Sequence, residues 1–507
     1  MFLPLFLRNN KGKDMTKKQF YIQVLILAVP IALQNLLTAL LNIFDQMMVG
    51  WLPGGIADAG LSAVLLANQI VFIFQIVVFA VCNTVNIFIA QYTENGNEQL
   101  IKNRAGFTFL LIFAVSLVFM FVCHFAPGFV IGMFNPSETY RQMAEDFLKT
   151  VSLSFVPMGI SVGIVFMLRA VKRLKAALVV NVLAVALNFL LNYTFMFGLF
   201  GVKPMGLIGA AYGTIFSRLF ECVAMIAVLF ALKNPLIGNV REMFRFDGKF
   251  IGQYFKMFFP ILCNEIFWVL STTVFLFVYD KLDNSEVVLA SVNIAQSLDK
   301  IVSVVMIGVG SATGVVLGNI IGRGVKSDVN AYAREALKFG LYTGLAVAAL
   351  TFGAAFVAPL VFSGVSAETH TTARNLIMLY ALTAPLRTVC FTEVIGILRS
   401  GGDTTFCMIS ETIIVWVVSV PLVMVCGLVF KTNVYVVYLM ANVCEVLKLL
   451  VFGWRIYKGK WIKFGMGAEA KESSSAALAA VPEGDSVYVD TAECVSAEVE
   501  TSDGSEN

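Results

Sequence analysis

YIQVLILAVPIALQNLLTALLNIFDQMMV, residues 21–49, holds one charged side chain, Asp45, in an otherwise uncharged run. About 20 apolar residues cross a bilayer as a helix, so the stretch predicts a membrane span. Eleven similar runs follow, at 60–91, 105–126, 147–169, 176–200, 206–232, 254–279, 287–321, 334–362, 374–398, 406–430 and 434–457. They are long and continuous rather than ten-residue alternations, which favours helices over a barrel. Composition agrees. Hydrophobic residues make up 58% of the 507 and charged residues 14%, with mean hydropathy +0.82. Soluble domains average about 45–50% apolar and about 25% charged. The surplus has to face lipid, so the chain reads as an all-α, multi-pass membrane protein, and nearly every soluble enzyme class is excluded.

Charge sets the expected orientation. Twelve spans put both ends of the chain on one side. Assigning that side the N-terminal cluster, Lys102 and Arg104, Arg169 to Lys175, Lys233 to Lys256, Arg323 to Lys338, Arg399 and Lys448 to Lys471 gathers 27 of the 36 basic residues. By the positive-inside rule both termini are then cytoplasmic. Residues 465–507 hold ten acids against Lys471, with much Ser, Ala and Gly and no apolar run, a composition that predicts disorder. The opening MFLPLFLRNN has too short an apolar run for a signal peptide, and Met15 is an alternative start.

The halves read as copies. Pro30 and Pro260 lie 230 residues apart, as do Arg169 and Arg399. Pro157 and Pro385 lie 228 apart, as do Gln91 and Asn319 at the ends of the second and eighth runs. Six spans per copy give both copies the same orientation, related by an axis along the membrane normal. The expected architecture is therefore two parallel-repeat six-helix lobes around a V-shaped central cavity. Its parts are a basic N-terminus (1–20), an N-lobe (21–232), a cytoplasmic linker (233–253), a C-lobe (254–463) and an acidic tail (464–507).

An ionisable group in lipid is expensive, so acids within the spans are the functional candidates. Asp45 has no base nearby in sequence; it either binds a cation or sits wetted at a helix end. Glu265, after Pro260 and Asn264, is the second candidate. Pro260 frees a carbonyl of the preceding turn, and the alternative role for Glu265 is a structural contact with Asn264. Asn188 and Asn192 are four apart and share a helical face, with Thr214 able to add a hydroxyl. Such oxygen donors around one carboxylate suit Na⁺ or a proton relayed through water, or serve as interhelical glue. In the second lobe, Lys300 and Glu411 could line a cavity. Glu445 with Lys448, and Arg218 with Glu221, are spaced to satisfy each other, and Asp299, Arg387 and Glu393 have no partner legible in sequence.

Other chemistry is sparse. Two histidines and nine scattered cysteines without a C-x-x-C make a metal or disulfide framework a poor fit. Gly308-Val-Gly310 lies within a span and lacks the strand–turn–helix context of a dinucleotide site, and there is no phosphate-binding loop. No cofactor, resident metal or nucleic-acid partner is expected; Na⁺ at Asp45 or Glu265 is the one metal possibility. Phe72, Phe74, Phe79, Phe275, Phe277 and Met306 offer an adaptable wall for aromatic cations.

Over about residues 20–460 the chain resembles the multidrug and toxic compound extrusion (MATE) family, of the multidrug/oligosaccharidyl-lipid/polysaccharide flippase superfamily. The resemblance rests on Pro30 with Asp45-Gln-Met-Met-Val-Gly50, Asn192-Tyr193, Gly209-Ala-Ala-Tyr-Gly-Thr214, Pro260 with Asn264-Glu265, Gly318-Asn-Ile-Ile-Gly-Arg-Gly324 and Gly396-Ile-Leu-Arg-Ser-Gly-Gly-Asp403. It implies a twelve-helix antiporter of a bacterial cytoplasmic membrane, expected as a monomer, exporting cationic and often aromatic compounds in exchange for H⁺ or Na⁺. It matches Asp45, Asn188, Asn192 and Thr214 to the N-lobe cation site and Glu265 to the C-lobe site. Two departures stand out: Asn192 replaces an Asp found in some members, and Arg387-Thr388 stands where a tenth-helix acid is expected. Lys300 or Glu411 would have to compensate. A lipid-linked saccharide flippase is the alternative; it calls for an Arg- and Lys-rich cavity, and few basic residues fall within the spans. An integral-membrane enzyme lacks a catalytic cluster, and a passive channel fits the repeat less well.

Overall fold

The computed structural model describes residues 16–462 except 53–55, 96–97, 135–137, 232–235, 237, 239–242, 245, 323–325 and 362–365. The acidic tail from residue 463, the N-terminus to residue 15, nine residues of the linker and Arg323-Gly324 thus lie outside the described residues.

Among the described residues, twelve helices are long and apolar enough to cross a membrane. They are α1 (Lys17–Gly50), α2 (Ile56–Asn95), α3 (Glu98–Phe125), α4 (Tyr140–Ala170), α5 (Leu174–Phe197), α6 (Gly206–Ala231), α7 (Gly248–Asp280), α8 (Ser285–Gly322), α9 (Lys326–Val361), α10 (Ala367–Leu398), α11 (Thr404–Val429) and α12 (Val434–Tyr457). All twelve predicted spans are present. Several helices outrun their apolar stretch, because polar residues there find partners instead of ending the helix. Thr16 and Gln19 form a reciprocal capping box that starts α1. In α3, which begins seven residues earlier than predicted, Asn103 and Arg104 are buried in a mutual hydrogen bond of 2.6 Å.

Pro30 and Pro260 lie inside α1 and α7, so each half opens on a helix whose ladder lacks one N–H. The repeat breaks at the fourth helix. Pro157 to Arg169 takes twelve residues and Pro385 to Arg399 fourteen. The first interval runs as α-helix to Ala170, whereas the second ends in a π-helical run, Thr392–Leu398. A π turn holds more residues than an α turn, and this run absorbs the excess. Two further π runs, Ile414–Ser419 and Val425–Val429, flank Pro421 in α11.

The halves join where the helix ends nearest residues 16 and 462 gather. Phe20, Val24, Leu27 and Ile31 of α1 are buried in one cluster with Val309 and Val316 of α8, Tyr332 of α9 and Phe452 of α12. The first turns of α1 therefore pack within the core of the second half. Tyr254 of α7 donates to the Val81 carbonyl of α2 at 3.0 Å and Gln91 to the Ser400 carbonyl, also at 3.0 Å. Lys17 pairs with Glu335 at 3.2 Å. At Gly322 a Cβ would fall 2.1 Å from the Gln91 carbonyl oxygen, so α8 meets α2 backbone to backbone there.

Candidate functional site

In the first half, Asp45 is part-buried near the end of α1. Its Oδ1 accepts from Asn192 Nδ2 at 2.6 Å. The same amide donates to Asn188 Oδ1 at 3.2 Å, Asn188 Nδ2 to Ser217 Oγ at 3.0 Å, and the Ser217 hydroxyl to the Thr214 carbonyl at 3.0 Å. Among the described residues no base lies within ion-pair distance of Asp45. Asn192 Oδ1 is buried with no hydrogen-bond partner and faces Gly213, where a Cβ would come within 2.0 Å of it. An acceptor oxygen left over beside a carboxylate fits a small cation better than a further donor-only contact.

The chain of amides leads to a cavity. Ser217 lines a crevice with Thr38, Asn181, Arg218 and Glu221, and these last four also line a larger cavity of ≈ 250 Å³ between α1, α2, α4, α5 and α6. Phe74, Phe79 and Phe166 give it aromatic walls. Arg218 and Glu221 neutralise each other at 2.8 Å, as their spacing predicted. Arg169 stands at the other pole. It is 6% exposed, its Nη2 and Nε donate to Gln34 Oε1 at 3.0 and 3.3 Å, and its guanidinium lies over the Phe166 ring.

In the second half the acids meet bases. Arg399 Nη1 donates to Glu265 Oε1 at 3.0 Å. Asn264 donates to Glu411 at 2.9 Å, and Lys448 bridges Glu411 at 2.9 Å and Glu445 at 3.2 Å. Arg387 holds Asp299 with two bonds of 2.6 and 2.8 Å. Glu393, in the π run of α10, differs: it is 1% exposed and its Oε2 has no hydrogen-bond partner. Arg169 and Arg399 line one small polar crevice between the halves with Asn83, Asn86, Ser311 and Ser400.

Asp45, Asn188 and Asn192 thus come together, and Thr214 joins them through its carbonyl rather than the expected hydroxyl. Glu265, Asn264 and Glu411 gather too. Lys300 is exposed, and the cation on Glu411 is Lys448 in its place. Lys448 pairs with Glu445 as their spacing predicted and with Glu411 as well. Its position allows both contacts because α12 carries it to the side of α11 that holds Glu411. Arg169, Arg399 and Lys448, expected with the loop charges, are buried inside the helical body, where each has polar partners. Ser217 went unrecognised in sequence, although its i,i+3 spacing from Thr214 and its place on α6 opposite the two asparagines carry the signal. Among the described residues no group of three His, Cys, Asp or Glu side chains could hold a metal ion.

Comparison with known proteins agrees with this frame. The MatE family model matches residues 30–194 and 260–425, one stretch in each half. The probable multidrug resistance protein NorM of Thermotoga maritima is 24% identical over 464 residues, 87% of this chain and 93% of its own. That of Haemophilus ducreyi is 24% identical over 344 residues, 66% and 72%. A multidrug resistance MATE transporter of the MOP superfamily, solved in an outward-facing conformation, superposes with a TM-score of 0.78 at 16% identity, covering 89% of this chain and all of that one.

Proposed function

The chain belongs to the MatE family of membrane transporters, which are not enzymes, and from that premise we propose that it is a multidrug exporter of a bacterial cytoplasmic membrane, with both termini on the cytoplasmic side. It exchanges H⁺ or Na⁺ for cationic, aromatic compounds by alternating access between an N-lobe and a C-lobe. The observation that carries this is the carboxylate of Asp45, which among the described residues has an amide and no base for a partner and stands at the head of a hydrogen-bonded chain that ends beside an aromatic-walled cavity.

The mechanism follows from that chain. A cation arriving at Asp45 takes its lone pairs, and Asn192 must release or turn its amide. Asn188 and Ser217 pass the change toward Arg218 and Glu221, whose side chains line the substrate cavity. Ion and substrate are then linked through shared groups, which is what exchange requires. The two states differ in affinity for each, and that difference moves the halves. Glu265 takes another part: held by Arg399, it fixes α7 to α10 and leaves ion entry to the first half. Drug-resistance relatives and the aromatic walls favour export of soluble compounds over lipid-linked saccharides.

Purified protein in liposomes, loaded against a pH gradient alone and then a Na⁺ gradient alone, tests the reading with ethidium as the fluorescent cation. Wild-type protein should accumulate the dye under one gradient, naming the ion. Asp45→Asn should accumulate none under either while keeping its elution profile on size exclusion. Normal accumulation by Asp45→Asn would remove Asp45 from the mechanism.

A further inference from the structure

Arg169 and Arg399 reach one crevice from opposite halves of the molecule, and they are 6% and 5% exposed. With Asn83, Asn86, Ser311 and Ser400 they surround ≈ 20 Å³, against ≈ 250 Å³ for the first-half cavity. That is room for a single water-sized occupant.

The charges around this space do not balance. Glu265 neutralises Arg399 at 3.0 Å. Arg169 has only the Gln34 amide oxygen and the face of Phe166, with no carboxylate at ion-pair distance among the described residues. Neither Asp nor Glu lines the crevice. The lining groups and their direct ion-pair partner therefore carry one positive charge too many. A water there would solvate the guanidinium and leave that charge uncompensated, which is costly in a buried place.

The neutral lining groups suit an anion. Ser311 brings a hydroxyl, and Asn83 Nδ2 spends one of its two hydrogens on the Phe79 carbonyl. Asn86 Oδ1 is buried with no partner, and a half-turn of that amide presents N–H donors in its place. One wall is fixed by backbone packing. At Gly310 and Gly314 a Cβ would come within 3.1 and 3.0 Å of carbonyl oxygens of α10, so α8 and α10 are in close contact beside the crevice.

We propose that the crevice between Arg169 and Arg399 binds one small inorganic anion of chloride size. The anion supplies the missing charge to Arg169 and touches both halves. It binds while the halves meet there and leaves when they part, so its presence favours the state in which this seam is closed. The site is separate from the cavity for exported compounds and does not depend on what those compounds are.

The thermal midpoint of the full chain in detergent tests this, with gluconate exchanged stepwise for chloride at fixed ionic strength. Wild-type protein should gain about 2 °C or more, along a curve that saturates. Gln34→Glu sets a carboxylate against Arg169 and should abolish the chloride gain. It adds a partner rather than removing one, which guards against misfolding. Ser311→Val puts a methyl group in place of the hydroxyl. It should also abolish the gain, while the first-half cavity, which Ser311 does not line, keeps its walls. A wild-type midpoint indifferent to chloride overturns the proposal, as does a gain that Gln34→Glu retains in full, which is a general salt effect. A gain lost in Gln34→Glu and kept in Ser311→Val places the anion in the first-half cavity and overturns the seam site. Dye uptake enters none of these readings, so failure here leaves the transport reading standing.

Discussion

Arg169 and Arg399 end the fourth helix of their respective halves, yet one leans on an amide and the other on a carboxylate. The contrast extends to the acids. In the first half Asp45 meets Asn192; in the second Glu265, Glu411, Glu445 and Asp299 all meet a base. Glu393 alone breaks the pattern among these second-half acids. Two copies of one fold have thus distributed charge differently. A buried ion pair is closed to a ligand, because admitting one means breaking the pair. A buried charge held by neutral groups stays responsive to whatever ion or ligand reaches it. By this measure Asp45 and Arg169 in the first half, like Glu393 in the second, are held by neutral surroundings, whereas the Arg218–Glu221 pair and the other second-half acids named here are neutralised.

Three changes probe that division. The largest effect is expected from Glu265→Gln, which leaves the Arg399 guanidinium buried without its counter-charge. Removing one member of a buried pair costs about 3–5 kcal/mol, read as a lower thermal midpoint in detergent. Adding Arg399→Gln should recover most of the loss. If the single variant were as stable as wild type, the second half could not be described as held by its pairs. Next comes Gly213→Ala, whose new Cβ would collide with Asn192. Overpacking of this kind costs about 1–3 kcal/mol, and it should cut ethidium export sharply by pulling Asn192 off Asp45 without altering any charge. Export at the wild-type rate would show that the Asn192–Asp45 bond is dispensable. Smallest is Lys300→Gln. Lys300 is exposed and a member of none of the ion pairs described above, so the change should shift stability by no more than about 0.5 kcal/mol and leave export unchanged, and a large loss in either would return Lys300 to the second-half site.

Most of this architecture could be read from residue types alone. Lipid imposes one rule, an unbroken apolar run per crossing, and all twelve runs obeyed it. Asn188 and Asn192 were legible because helical periodicity puts i and i+4 on one face. Which helices meet was not legible, because lipid-facing and partner-facing apolar residues look alike in sequence. Thus Lys448 reads as the partner of Glu445, three residues away, while its bond to Glu411 depends on how α12 lies against α11. Arg169 and Arg399 read as loop charges because each stands at the end of its run. Only the folded chain shows them turned inward. The fourteen-residue interval before Arg399 was a visible irregularity whose meaning, a π-helical run, needed the backbone.

The crevice shared by Arg169 and Arg399 bears on how such a chain could arise. If the halves descend from one duplicated segment, an unmodified duplicate would have brought two guanidiniums, each with only an amide for company, to the same seam. Like charges in a poorly solvated crevice repel, and the seam would favour staying apart. One carboxylate on one copy reverses that balance. Glu265 supplies that carboxylate to Arg399, while Arg169 reaches the same crevice with Gln34 and Phe166 as its partners, so one neutralised guanidinium is enough to let two arginines share one seam.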